Sequence, residues 1–198
     1  MKSYVIAISG ASGAVYGVTL LDFLLRAKHK VYLTLTHEAR LIIKGEMGLD
    51  WGANFQETSN ILDKRYGDYD LVCCDERDMT APIASGSVPT EGMVVAPCSM
   101  KALAAIAHGI SSTLVERAAD VTLKEKRPLI LIPRETPLSR IHLKNMLILA
   151  DMGATLMPAM PAFYHRPKSI DDMVQFVVGR VLDALKIENQ MITRWSGQ

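Results

Sequence analysis

Short, almost uniformly apolar runs alternate with amphipathic stretches of helical spacing along nearly the whole chain, and this alternation constrains the fold more than any other feature. Residues 4–9, 31–36, 71–74, 93–96, 128–132 and 154–157 read as strands. Runs such as YVIAIS and PLILI lack polar alternation, so their strands are expected to be buried on both faces, as in a parallel sheet. Residues 14–28, 37–47, 113–126, 139–152 and 170–186 carry apolar residues at helical spacing, as does MKALAAIAHG, for which Ser99 is a natural N-cap. Residues 48–69 are polar and poorly periodic and read as a connector with one helix at most. The expected fold is a single α/β domain over residues 1–198, with a C-terminal tail from about residue 187. Its architecture is a mostly parallel sheet with helices on both faces.

The bulk numbers exclude several functional classes. A chain of 198 residues that is 49% hydrophobic can bury a sizeable core. Its 22 basic and 21 acidic residues leave a net charge of +1, so no overall field would hold it on nucleic acid or an anionic membrane. The three cysteines, Cys73, Cys74 and Cys98, form neither a disulfide framework nor a CxxC metal spacing, and reduced thiols in the cytoplasm are expected. The apolar run near the N-terminus is too short for a signal sequence, and no window is apolar enough to span a membrane.

Two stretches bear on ligands. In ISGASGAVYG the first strand runs into Gly10, Gly13 and Gly17, a GxxGxxxG spacing that lacks the middle glycine of the dinucleotide fingerprint and has Ser12 in its place. The second strand ends in Thr36 and His37 with no carboxylate for a ribose hydroxyl, so the loop suits a single phosphate or a flavin mononucleotide better than NAD; a purely structural turn stays open as well. The second stretch, PRETP, places Arg134 and Glu135 at the carboxyl end of a buried strand, where open α/β sheets hold ligands. Basic residues at Arg117, Lys124, Arg134, Arg166 and Arg180 suggest a further, focused anion pocket in the second half. Other groups fare worse: Ser139 and His142 have no acidic partner for a triad, the histidines show no metal spacing, and Cys98, just before a helix start, fits packing beside Pro97 and Met100 as well as it fits a thiol of lowered pKa.

Taken together, GASGAVYG, ASGS, PCSMKAL, ERAADVTLKEKRPLILIPRETP, HLKNM, PAFYHRPKS and the terminal Arg194–Trp195 pair resemble the flavin prenyltransferases of the UbiX/Pad type, formerly described as aromatic acid decarboxylases. The resemblance covers residues from about 3 to about 195. It implies a three-layer, Rossmann-like (flavodoxin-like) α/β fold with a doubly wound, mostly parallel sheet, and a cytoplasmic, metal-independent enzyme that joins the dimethylallyl group of dimethylallyl monophosphate to N5 and C6 of reduced FMN. Phosphate is released, and the prenylated FMN serves a UbiD-type decarboxylase. It also implies a homododecamer with sites at subunit contacts. By the same resemblance Gly10, Ala11, Ser12, Thr36, Ser99, Met100, Lys101, Ala102 and Arg134 would hold FMN, with Thr36 standing where relatives usually have serine. Lys124, Arg134, Glu135, Tyr164 and Arg180, with Arg117 in addition, would surround the prenyl phosphate. Glu46 with Ser12 as relay, together with Glu135 and Lys124, would be catalytic, while Met79 stands where some relatives have tryptophan. Two alternatives share the fold: an FMN-dependent decarboxylase of aromatic acids or of peptidyl or phosphopantothenoyl cysteine, and a non-catalytic FMN carrier within a decarboxylase complex. Against the cysteine enzymes, the segment Pro97-Cys98-Ser99-Met100 lacks their asparagine.

Overall fold

In the computed structural model of the chain, residues 1–192 and 194 are described, and Trp195 of the terminal motif lies outside them. Six strands form one sheet: β1 (Ser3–Ile8), β2 (Lys30–Leu35), β3 (Leu71–Cys74), β4 (Met93–Cys98), β5 (Leu129–Pro133) and β6 (Thr155–Leu156). Seven helices connect and flank them: α1 (Ala14–Arg26), α2 (His37–Met47), α3 (Phe55–Tyr66), α4 (Met100–Ala107), α5 (Leu114–Lys124), α6 (Arg140–Asp151) and α7 (Ile170–Ala184). Every strand pairing is parallel, so the sheet is entirely rather than mostly parallel among the described residues. The order β3-β2-β1-β4-β5-β6 is the doubly wound Rossmann arrangement, with its switch point between β1 and β4.

The uniformly apolar strands are explained by what covers them. Tyr4, Ile6 and Ile8 of β1 face a core built with α1, α2, α3 and α7, while Val5 and Ala7 face a second core built with α4, α5 and α6. The central strands β1, β2, β4 and β5 thus bury both sets of side chains, which accounts for their unbroken apolar runs. The helix α3, hidden in a polar stretch, is held by the Asn54 cap, which accepts a hydrogen bond from the Glu57 N–H, and by buried Thr58, Leu62 and Tyr66 at four-residue spacing. Trp51, just before it, is 2% exposed and joins the same core. The strand β4 runs two residues beyond its expected end, to Cys98, because Ala96, Pro97 and Cys98 continue buried against β5.

The glycines near the N-terminus do structural work. A Cβ on Gly17 would collide with the Ala96 carbonyl oxygen, so glycine there lets α1 cross close over β4. Gly13 has a φ of 101°, in the left-handed region, where the chain turns from β1 into α1.

The long segment between β3 and β4 has only one short 3₁₀ turn, at Pro82–Ala84, yet it is anchored. Arg117 Nε donates to the Ala84 carbonyl at 3.1 Å, and the Arg127 guanidinium donates to the Gly86 and Val88 carbonyls at 2.7 and 2.8 Å. No helix among the described residues is long and apolar enough to cross a membrane.

Candidate functional site

At the switch point, the carboxyl ends of β1 and β4 are stapled by a residue that the sequence did not single out. Ser9, 1% exposed, donates from Oγ to the Pro97 carbonyl at 2.9 Å and accepts from the Ser99 N–H at 2.8 Å. The staple fixes where α4 begins relative to β1. Beside it lies a cavity of about 480 Å³ lined by Gly10, Thr36, Ser99, Lys101 and Ala102, all expected site residues, and by Glu38, Glu76, Thr113 and Glu116.

Several helices present their N-termini to this edge of the sheet, and each terminus carries N–H groups that need acceptors. At α1 the Gly13 and Ala14 N–H groups donate to Glu46 Oε2 at 2.9 and 3.1 Å. At α2 the Thr36 hydroxyl accepts from Ala39 N–H, and the Glu76 carboxylate accepts from His37 N–H at 2.8 Å. At α5 Glu116 completes a capping box and accepts from the N–H groups of Ser112 and Thr113. At α4 the Ser99 hydroxyl takes the Ala102 N–H, and among the described residues no acceptor engages the N–H groups of Met100 and Lys101. An anion in this cavity therefore finds backbone donors at the start of α4 and at Gly10, whose N–H has no acceptor among the described residues, with the Lys101 ammonium alongside. At the glycine loop the Gly13 and Ala14 N–H groups are taken up by Glu46, which leaves Gly10, Ala11 and Ser12 as the part of the loop that faces a ligand.

Charges around the cavity follow from these contacts. The Glu38 carboxyl is held below the ordinary range, chiefly by a hydrogen bond from its own N–H, with Thr36 and Lys101 adding to the effect and burial opposing it. Burial pushes the Glu76 carboxyl up, although His37 N–H and the nearby Arg40 pull the other way.

A second cavity of about 270 Å³ opens on the other side of the α4 N-terminus, lined by Met100, Arg134, Glu135, Met146, Met160 and neighbouring residues. Arg134 Nε donates to the Ser12 carbonyl at 3.2 Å, so the end of β5 is tied to the loop after β1. Burial pushes the Glu46 carboxyl up, but the Ser12 hydroxyl, the Gly13 and Ala14 N–H groups and the Arg134 guanidinium together outweigh it, and the carboxyl lies below its ordinary range. Glu46 thus meets Ser12, the expected pair, Arg134 joins them in one cluster, and Ala11 is buried next to it.

The residues expected around a prenyl phosphate do not all come together within one chain. Lys124 closes the far end of α5 and pairs with Glu125. The 11 residues of α5 set it roughly 16 Å from the helix start that lines the larger cavity. Arg117 is held by the Ala84 carbonyl and by Asp120 at 2.9 Å. Arg180, on α7, pairs with Asp183 at 3.1 Å, and Tyr164 packs against His165 and Phe176; neither lines either cavity. Of that expected group, Arg134 and Glu135 alone stand at the second cavity.

The groups read as structural are so placed. Ser139 and His142 form a capping box on α6. Cys98 is fully buried, and burial pushes the Cys98 and Cys73 thiols up to about 12, which favours their neutral form. The capping roles of Glu76 and Glu116 went unread, although Thr113-Leu-Val-Glu116 carries the spacing of a capping box.

A wholly parallel, doubly wound sheet with an anion-ready crevice at its switch point defines a mononucleotide-binding α/β protein, and the Flavoprotein family model matches residues 1–182. The chain is 50% identical to the flavin prenyltransferase UbiX of Alkalihalophilus pseudofirmus over 196 residues, covering 98% of this chain and 96% of that one. It belongs to the UbiX flavin prenyltransferase family. A crystal structure of AnUbiX (PadA1) in complex with FMN and dimethylallyl pyrophosphate superposes with a TM-score of 0.89 at 41% identity, covering 100% of this chain and 98% of that one. A dodecameric FMN-dependent UbiX-like decarboxylase from Escherichia coli superposes with a TM-score of 0.88 at 41% identity, covering 98% and 100%.

Proposed function

We propose that the protein transfers the dimethylallyl group of dimethylallyl monophosphate to N5 and C6 of reduced FMN, releasing phosphate and yielding prenylated FMN for a UbiD-type decarboxylase. The observation that carries the reading is the division of labour at the switch point. The open N-terminus of α4, with Lys101 and Thr36, suits the FMN phosphate, while Ser12, Glu46 and Arg134 gather at the other side of the same β1–β4 crevice. The larger cavity, about 480 Å³, is of a size for a bound nucleotide. Gly10, Ala11, Ser12, Ser99, Met100, Ala102 and Arg134 complete the flavin contacts. When bound, reduced FMN supplies two nucleophilic positions, N5 and C6.

The chain's own residues then have two electrostatic tasks. As the allylic C–O bond breaks, its electron pair leaves with the phosphate, and Lys124, Arg134 and Arg180, with Arg117 near them, neutralise that charge while Tyr164 donates a hydrogen bond. Glu135 supplies the phosphate with its proton. Bonding at C6 would use up the prenyl double bond, whose inner carbon takes a proton as N5 and C6 each lose one; Glu46 would accept the C6 proton through the Ser12 hydroxyl, a role suited to a carboxyl held below its ordinary range.

Because Lys124 and Arg134 stand at opposite edges of one sheet, the phosphate group is completed by a neighbouring copy, in keeping with the dodecameric relative. The outer face of α6, with Ile141, Leu143 and Leu147 all more than half exposed, is an apolar surface that such an assembly covers.

The decisive experiment incubates the protein anaerobically with reduced FMN and dimethylallyl monophosphate, then weighs the flavin and assays free phosphate. The expected result is a flavin heavier by one dimethylallyl unit and an equal amount of phosphate. An unmodified flavin would overturn the reading; loss of CO₂ from an added aromatic acid, with the flavin unchanged, would make the protein a direct decarboxylase.

A further inference from the structure

Just before α7 the chain turns back on itself and builds a small aromatic cluster. Arg166 N–H donates to the Phe163 carbonyl at 2.9 Å and Arg166 takes a φ of 53°, a tight turn that presents Tyr164 and His165 to the helix. The His165 and Phe176 rings stack, with centroids 5.2 Å apart and planes 3° from parallel. Tyr164 meets both edge-on, at 5.7 Å and 79° to His165 and at 5.9 Å and 82° to Phe176. Both are geometries favoured by ring quadrupoles. The turn is tethered to the helix as well, since Asp172 accepts from the N–H groups of Lys168 and Ser169 at 2.7 and 3.1 Å.

Phe176 and Arg180 are four residues apart on α7, so they share one face about a turn from each other. Arg180 is in turn steadied by Asp183. We infer that His165 and Phe176 are positioning residues: their stacked rings hold Tyr164 at a set place over α7, one turn from Arg180, so that phenol and guanidinium meet the leaving phosphate as a preformed pair. This rests on the reading of Tyr164 and Arg180 as phosphate ligands and adds the elements that hold them together. The imidazole contributes its flat face and not its nitrogens, because Nδ1 and Nε2 are both buried without a hydrogen-bond partner among the described residues. A phenyl ring can therefore do its work.

The test measures KM for dimethylallyl monophosphate, kcat and FMN affinity for five full-length variants: His165→Ala, His165→Phe, Phe176→Leu, Tyr164→Phe and the double variant Tyr164→Phe/Phe176→Leu. His165→Ala and Phe176→Leu should each raise KM by about tenfold, the effect of misplacing one hydrogen bond to a charged group, with FMN affinity unchanged. His165→Phe should restore wild-type KM, and Phe176→Leu should add nothing once Tyr164 is Phe. The inference is overturned if His165→Phe is as impaired as His165→Ala, or if the Phe176→Leu effect is undiminished in the double variant. If Tyr164→Phe itself leaves KM unchanged, the assignment of Tyr164 to the phosphate falls, and the positioning role falls with it by a different signature.

Discussion

The Glu46 carboxylate lies 2.9 Å from the Gly13 backbone nitrogen and accepts its hydrogen bond across 33 residues of sequence. Gly13 occupies the N-cap of α1 and offers no side chain to the helix, so a residue near the end of α2 performs the capping that a serine or aspartate would otherwise supply. The same carboxylate is the proposed proton acceptor, and the two roles can be separated.

Glu46→Gln keeps an oxygen facing the Gly13 and Ala14 N–H groups but cannot accept a proton. Thermal unfolding should show a loss of under about 1 kcal/mol, while single-turnover prenylation slows about 10²-fold. A collapse of stability with proportionate loss of activity would reduce Glu46 to a cap. The pH dependence has a definite sign. The folded carboxyl lies below its ordinary value of 4.5, so its contribution to stability is present above that pH and is lost as pH falls through the lower folded value. Wild type should therefore lead Glu46→Gln by a constant margin above pH 4.5, and the margin should close in more acid solution.

Lys101→Ala removes the ammonium beside the open end of α4. FMN dissociation measured by fluorescence titration should weaken by about tenfold, with the melting temperature little changed because Lys101 is exposed. An unchanged affinity would move the phosphate away from α4.

Lys124→Ala and Glu135→Gln should each lower prenylation by about 10²- to 10³-fold while FMN stays bound. Since Lys124 lies at the far end of α5 and Glu135 at the carboxyl edge of β5, mixed oligomers reassembled from the two inactive variants should regain activity. Failure to complement, with mixing verified by native mass spectrometry, would return the phosphate site to a single chain.

Two alanine substitutions in helices should act in opposite directions. Gly17→Ala drives a methyl into the Ala96 carbonyl oxygen and should destabilise by about 1–3 kcal/mol or more. Gly45→Ala, in the exposed face of α2 with nothing within 4 Å, should stabilise by up to about 1 kcal/mol. Chemical denaturation of the two variants checks both signs.

What could be read from the amino acids was whatever depends on local pattern. Doubly buried strands announce themselves as unbroken apolar runs, and Ser99 and Ser139 announce helix starts, so the layered sheet and the place of PRETP at a strand end were legible. The helix α3 left only a faint signal, one helix at most within a connector, because its inward stripe is only Thr58, Leu62 and Tyr66, narrow and polar. The helix end of the glycine loop was illegible for a different reason: nothing within ISGASGAVYG shows that Glu46, 33 residues beyond Gly13, accepts its N–H. Likewise Arg117 and Lys124 look alike as free cations on one helix, but the loop carbonyl of Ala84 and the length of α5 separate their fates.

The Ser9 staple bears on anyone who would recast this crevice for an altered flavin. Its two hydrogen bonds join strand ends to each other, so the gap between β1 and β4 is set by the scaffold. Room for a bulkier or differently charged head group has to be made downstream, in the first turn of α4 and in the side chain at Lys101, where backbone geometry survives a change of sequence. Attempts to widen the cleft at Ser9 itself would loosen the seam on which the two halves of the sheet are hung.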